Sequence, residues 1–79
     1  MVLTLYHRLG CHLCEQMLDE LQVALADLDL QVTLVDIDRD ASLRQRFDDQ
    51  VPVLAAGDDI LCRHFLDEQR VRAYLSVHG

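Results

Sequence analysis

The 79-residue sequence predicts an α/β fold of order β-α-β-α-β-β-α, a four-stranded mixed sheet with helices on its faces. Three observations carry that expectation. Short apolar runs with β-branched residues alternate with stretches in which apolar positions recur every three or four residues. Gly57-Asp58-Asp59 makes a hairpin turn late in the chain. The single proline, Pro52, stands where a strand opens and not in its middle. One domain covering residues 1–79 suits the length.

Taken in order, Val2 to Tyr6 is an apolar run containing Thr4 and reads as a buried strand, closed by the turn His7-Arg8-Leu9-Gly10. From Cys11 onward, Cys14, Met17, Leu18, Leu21, Leu25 and Leu28 step by three and four. Glu15, Gln16, Asp19, Glu20 and Gln22 fill the opposite, solvated face. A helix ending near Asp29, without a glycine stop, follows. Val32 to Ile37 is apolar on both faces, as a central parallel strand would be. Asp40 then caps a short helix whose inward pair is Leu43 and Phe47. Gln50 to Leu54 opens the third strand, and Ile60 to Cys62 forms the fourth. Asp67 caps a last helix with Val71, Tyr74 and Leu75 on its inner face. No repeat, linker or low-complexity stretch interrupts this order.

Composition narrows the function classes. The chain is 51% hydrophobic and 27% charged, which is globular and not disordered. Seven basic against fourteen acidic residues give a net charge of −7, so nucleic acid and anionic membrane surfaces are poor partners. No apolar stretch approaches the ~20 residues needed to span a bilayer. Met1 to Tyr6 lacks a positive n-region and a small-residue cleavage site, so a reducing cytoplasm is the expected location. The three cysteines, Cys11, Cys14 and Cys62, are an odd number for a secreted disulfide scaffold. Their informative feature is the Cys-x-x-Cys spacing of the first two.

A strand, a turn, Cys-x-x-Cys opening a long helix, and Val51-Pro52 opening the third strand together resemble the thioredoxin fold. In size and detail the chain looks most like a glutaredoxin of the small bacterial glutaredoxin-like family, and the resemblance covers essentially its whole length. Arg8-Leu9-Gly10-Cys11-His12-Leu13-Cys14 is similar to the glutaredoxin active-site segment, including a basic residue three positions before the first cysteine. Val35-Asp36-Ile37-Asp38 looks like the end of the family's second strand. Val51-Pro52 matches its cis-proline motif, whose backbone at the residue before proline pairs with bound peptide or glutathione. There are departures. His12-Leu13 stands where glutaredoxins usually carry Pro-Tyr, Gln50 replaces the threonine before Val-Pro, and Cys62-Arg63 falls where the double glycine that helps seat glutathione is expected.

The resemblance implies a monomeric thiol–disulfide oxidoreductase with no bound cofactor, whose partner is a disulfide-containing protein or glutathione, the latter also serving as reductant. The chemistry agrees with the residues. Exchange needs a thiolate, a second sulfur within reach to resolve the mixed disulfide, and room for a partner. At the start of a helix, unpaired N–H groups and the macrodipole favour an anion at Cys11. Arg8 and a protonated His12 act in the same direction, while Glu15 and the acidic surface oppose it. At an ordinary pKa near 8.5, roughly 3% of a thiol is ionised at pH 7, whereas at about 6 some 90% would be. Cys14, one turn further along the core face, suits the resolving thiol. The candidate substrate-binding residues are Arg8, His12, Leu13, Val51 and Pro52.

Other readings stand beside these. The cysteines could merely be packed in an adaptor that keeps the fold without the chemistry, or hold a metal or iron–sulfur cluster between two chains. Cys62 and His64 could join the first pair as zinc ligands, although Cys62 has the apolar neighbours of a core filler. Arg8 could meet the carboxylate of glutathione or stand exposed in its turn. His12 could favour the thiolate or be solvated, and Pro52 could be an ordinary trans proline at a strand start.

Overall fold

Leu3 and Leu5 alternate with Thr4 and Tyr6, so a strand built from them presents its leucines to one side and its tyrosine to the other. The computed structural model, which describes residues 1–78, has this arrangement. The elements are β1 (Val2–His7), α1 (His12–Ala24), β2 (Gln31–Asp36), a single 3₁₀ turn (Ile37–Arg39), α2 (Ala41–Phe47), β3 (Val53–Ala56), β4 (Asp59–Arg63) and α3 (Glu68–His78). The four strands form one sheet in the order β2-β1-β3-β4. β1 and β2 are parallel, while β1–β3 and β3–β4 are antiparallel.

Two apolar layers cover the sheet. On one face Leu3, Leu5 and Leu54 pack with Met17, Leu21 and Leu25 from the first helical segment and with Val71 of α3. On the other, Ile37, Phe47 and Val53 form a smaller cluster joined by Tyr6, Leu43, Val51 and Ile60. The Tyr6 and Phe47 rings lie 4.7 Å apart between centroids. Asp40 caps α2 by accepting from the Ser42 and Leu43 N–H groups at 2.8 and 3.2 Å, and Asp67 accepts from the Arg70 N–H at 3.0 Å. Both caps stand where the sequence put them.

Several boundaries differ from expectation. α1 ends at Ala24 instead of near Asp29. The Leu25 N–H still reaches Leu21 O at 3.2 Å, but the chain then turns, with the Leu28 N–H on Leu25 O at 3.0 Å. Leu25 and Leu28 keep their inward stations from the turn, which is why the periodicity outruns the helix. No basic residue lies in the last turn of α1, and Arg72 of α3 supplies the cation, its Nη2 donating to Ala24 O at 2.8 Å.

β2 is an edge strand and not a central one, and it runs one residue earlier than Val32 to Ile37. Its crossover returns beside β1 while the terminal hairpin takes β1's other side. Leu34 is left half-exposed, and Ile37 passes into the 3₁₀ turn, fully buried. β3 begins at Val53, not Gln50, so Pro52 lies just before the strand. All four residues of β3 are buried, as a central strand's are.

Candidate active site

Strand register decides which loops meet. His7 pairs with Asp36, Tyr6 with Val53, and Val53 with Arg63. The turn after β1, the 3₁₀ turn after β2, the segment entering β3 and the residues leaving β4 therefore all lie at one end of the sheet. The Cys-x-x-Cys turn and the Val51-Pro52 segment, more than thirty-five residues apart in sequence, share that end.

Gly10 has φ +74°, a left-handed conformation that costs glycine little, and it turns the chain out of β1 towards α1. Cys11 follows in an extended conformation (φ −84°, ψ 100°) as the N-cap residue of α1. Its sulfur takes the capping role that Ser or Asp usually fills, accepting from the Cys14 N–H at 3.1 Å. Cys11 and Cys14 are joined as a disulfide, with Cα atoms 5.2 Å apart. The two sulfurs are not equivalent. Cys14 is buried, at 4% exposure, whereas Cys11 is only partly covered. His12 is exposed and Leu13 half-buried in the first turn between them.

A groove of about 260 Å³ lies against the pair. It is predominantly apolar, lined by Leu5, Leu9, Leu18 and Leu34 together with Cys11 and Cys14, and its polar lining comes from His7, Arg8 and Glu15. Neither Val51 nor Pro52 contributes to it, so it lies on the β2 side of the cysteines. Leu9 is 88% exposed and Leu34 49%, both large apolar side chains left open to solvent at the groove.

The Val51-Pro52 peptide is cis; Pro52 is buried and Val51 packs with the Phe47 cluster. The segment ahead of it is tied down from both neighbouring loops. Arg8 Nη1 donates to both the Asp48 carbonyl (2.8 Å) and its carboxylate (2.9 Å). Arg63 Nε donates to Gln50 Oε1 at 2.9 Å, and His64 Nε2 lies 2.9 Å from Asp49 O. The His64 N–H donates to Pro52 O at 2.8 Å, from a residue held at φ +65°. Such a conformation is uncommon for a side-chain-bearing residue and here lets one residue hold two points of the loop.

Arg8 is the main departure from the sequence reading. Its Nη2 and Nε grip Asp38 at 2.7 and 3.2 Å while Nη1 holds Asp48, so both ends of the guanidinium are taken. The Asp38 hydrogen bond, then that of Asp48, raises its pKa further. Arg8 is thus a clamp between the cysteine turn, the 3₁₀ turn and the proline segment, its guanidinium already paired with two carboxylates. Asp38 and Asp48, thirty and forty residues away, were not among the candidate residues, and no local pattern announces them.

Cys62 is half-buried against the α1/α3 layer, and burial pushes its thiol up. His64 turns to the Asp49 carbonyl. Among the described residues no three His, Cys, Asp or Glu side chains gather at metal-binding distance.

Among solved structures, the chain is similar to protein Ne2328 from Nitrosomonas europaea, at 38% identity over 91% of this chain and 87% of that one, with a TM-score of 0.81. It is likewise similar to protein XcR50 from X. campestris, at 37% identity over 95% and 96%, with a TM-score of 0.73. Thioredoxin 1 from Thermosipho africanus shares the fold at 17% identity, over 99% and 98%, with a TM-score of 0.64. Among curated proteins, none matches. Residues 2–76 match the family model described as Glutaredoxin-like domain (DUF836). With that match spanning nearly every residue, on a thioredoxin-type sheet with Cys-x-x-Cys at the head of its first helix, the chain belongs to the glutaredoxin-like domain family.

Proposed function

We propose that this protein is a thiol–disulfide oxidoreductase in which Cys11 is the nucleophile and Cys14 the resolving thiol, reducing protein disulfides or glutathione mixed disulfides. The observation that carries the reading is the unequal pair: a half-buried Cys11, its sulfur capped by the Cys14 N–H at a helix start, bonded to a fully buried Cys14. An N–H aimed at that sulfur and the positive end of the helix favour charge on Cys11 once the bond is reduced.

The Cys11 thiolate attacks one sulfur of a substrate disulfide. A bond forms between Cys11 and that sulfur, and the other substrate sulfur leaves as a thiolate that takes up a proton. Cys14 then gives up its proton and attacks the Cys11 sulfur. The Cys11–Cys14 bond forms and the second substrate thiolate departs. Two electrons have passed from the dithiol to the substrate. A low-molecular-weight thiol such as glutathione, or a dithiol reductase, restores the reduced pair by the reverse exchange. No resident cofactor is required, the acting unit is a monomer, and a reducing cytoplasm suits the direction of flow.

The test is a redox titration of the whole chain against a dithiol couple. A reversible two-electron transition, absent in Cys11→Ser, is expected. A wild-type chain showing no such transition, or Cys11→Ser retaining disulfide reduction, would overturn the proposal.

A further inference from the structure

The groove on the β2 side of the cysteines has no part in the exchange itself, yet it abuts both of them. We propose that it is a subsite for an apolar side chain flanking the substrate's cysteine, so that the site takes disulfides of polypeptides in preference to glutathione disulfide. This rests on the redox reading above and specifies its substrate class.

Charge supports that occupant. Each half of glutathione disulfide carries two carboxylates against one ammonium, so recognition calls for cations near the sulfur. The arginine lining this groove is Arg8, and its guanidinium is held by Asp38 and Asp48 on both sides. That cluster carries one positive charge against two negative, and Glu15 adds a third carboxylate to the groove lining. The chain as a whole stands at −7. An anionic tripeptide meets repulsion here, whereas a neutral or basic polypeptide segment does not.

Shape points to the same occupant. Leu9 and Leu34 are large apolar side chains left open beside a reactive sulfur, and Leu5 and Leu18 form the apolar wall beneath them. A neighbouring depression of about 560 Å³ shares His7, Leu9 and Leu34 and continues around the open edge of β2 to Leu43 and Arg39. The surface contiguous with Cys11 therefore runs on past one side chain, as an extended segment requires. Covering Leu9 and Leu34 removes apolar surface from water on both partners.

The experiment uses the reduced 79-residue chain and three disulfides in single-turnover reactions: a peptide disulfide with leucine beside each cysteine, the same peptide with serine there, and glutathione disulfide. The leucine peptide is expected to react about tenfold faster than the other two, a preference equivalent to about 1.4 kcal/mol. Leu34→Ser, and separately Leu9→Ser at a position already 88% exposed, should each collapse that ratio several-fold, with thermal melts verifying the fold. Val23→Ser, on the exposed side of α1, should preserve it. Equal rates for the two peptides, glutathione disulfide reacting fastest, or an unchanged ratio in both leucine variants would overturn the proposal. Failure to reduce 2-hydroxyethyl disulfide, which needs no subsite, would overturn the redox reading on which it rests.

Discussion

Replacing Phe47 with alanine tests whether the smaller apolar layer holds the active-site loop as well as the sheet. Phe47 is 2% exposed, ends α2, packs its ring at a tilt against Tyr6, and is followed directly by the Asp48–Pro52 segment. Losing its transfer free energy is worth ~1.5–3 kcal/mol, and losing the ring pair ~0.5–1.5 kcal/mol. With a residual cavity the total reaches ~3–5 kcal/mol. A chain of this size is stable by only ~4–12 kcal/mol, so Phe47→Ala removes a large share of it. In urea, at a slope of about 1 kcal/mol per molar, the midpoint should fall by about 3 M or more. Phe47→Leu keeps most of the volume and should cost ~1–1.5 kcal/mol. That variant stays folded, and amide exchange at Gln50 and His64 should quicken in it before exchange within β1 does. The Gln50 N–H donates to Phe47 O and the His64 N–H to Pro52 O, so both report on the loop. A Phe47→Ala midpoint within about 0.5 M of wild type, at unchanged slope, would refute the reasoning.

Further outcomes follow from other contacts. Arg8→Lys cannot grip Asp38 and Asp48 together, so it should slow disulfide reduction several-fold and raise amide exchange at residues 49–51, with a modest salt-dependent effect on melting. Because burial raises the Cys62 thiol, iodoacetamide should label Cys62 slowly at neutral pH, and Cys62→Ala should leave the two-electron redox transition intact. The Asp27 carboxylate is held below its usual range by its hydrogen bond to Arg72. A depressed folded pKa gives stability that is present above the ordinary carboxylate range and is lost as pH falls through the folded value. Wild type and Asp27→Asn should therefore differ in melting temperature at neutral pH and converge in acid.

How far the sequence could be read depended on the range of the interactions involved. Helix starts were legible because Cys11, Asp40 and Asp67 cap locally, two or three residues from the N–H groups they accept. The end of α1 was not, since Leu25 and Leu28 satisfy the same apolar spacing from a turn. The cation at that helix end comes from Arg72, forty-eight residues on. The apolar run of β2 reads as a central strand because periodicity reports apolarity and not neighbours; Leu34 faces the groove and remains open. At the site, the cysteine pair and Val51-Pro52 stood out by spacing and resemblance. The partners of Arg8 did not, because an ion pair across thirty or forty residues leaves no periodic trace. His64 went the same way: its left-handed backbone and its hold on the proline segment appear only once β3 and β4 are paired.

The assignment of roles to the two sulfurs is tested most directly by intact-mass analysis of Cys14→Ser after reaction with an equimolar small disulfide. The account predicts one stable adduct per chain, mapped by peptide digestion to Cys11, and none at residue 14 when Cys11→Ser is treated alike. Equal or faster labelling of Cys14 in Cys11→Ser, or an adduct that forms first on Cys62, would contradict it.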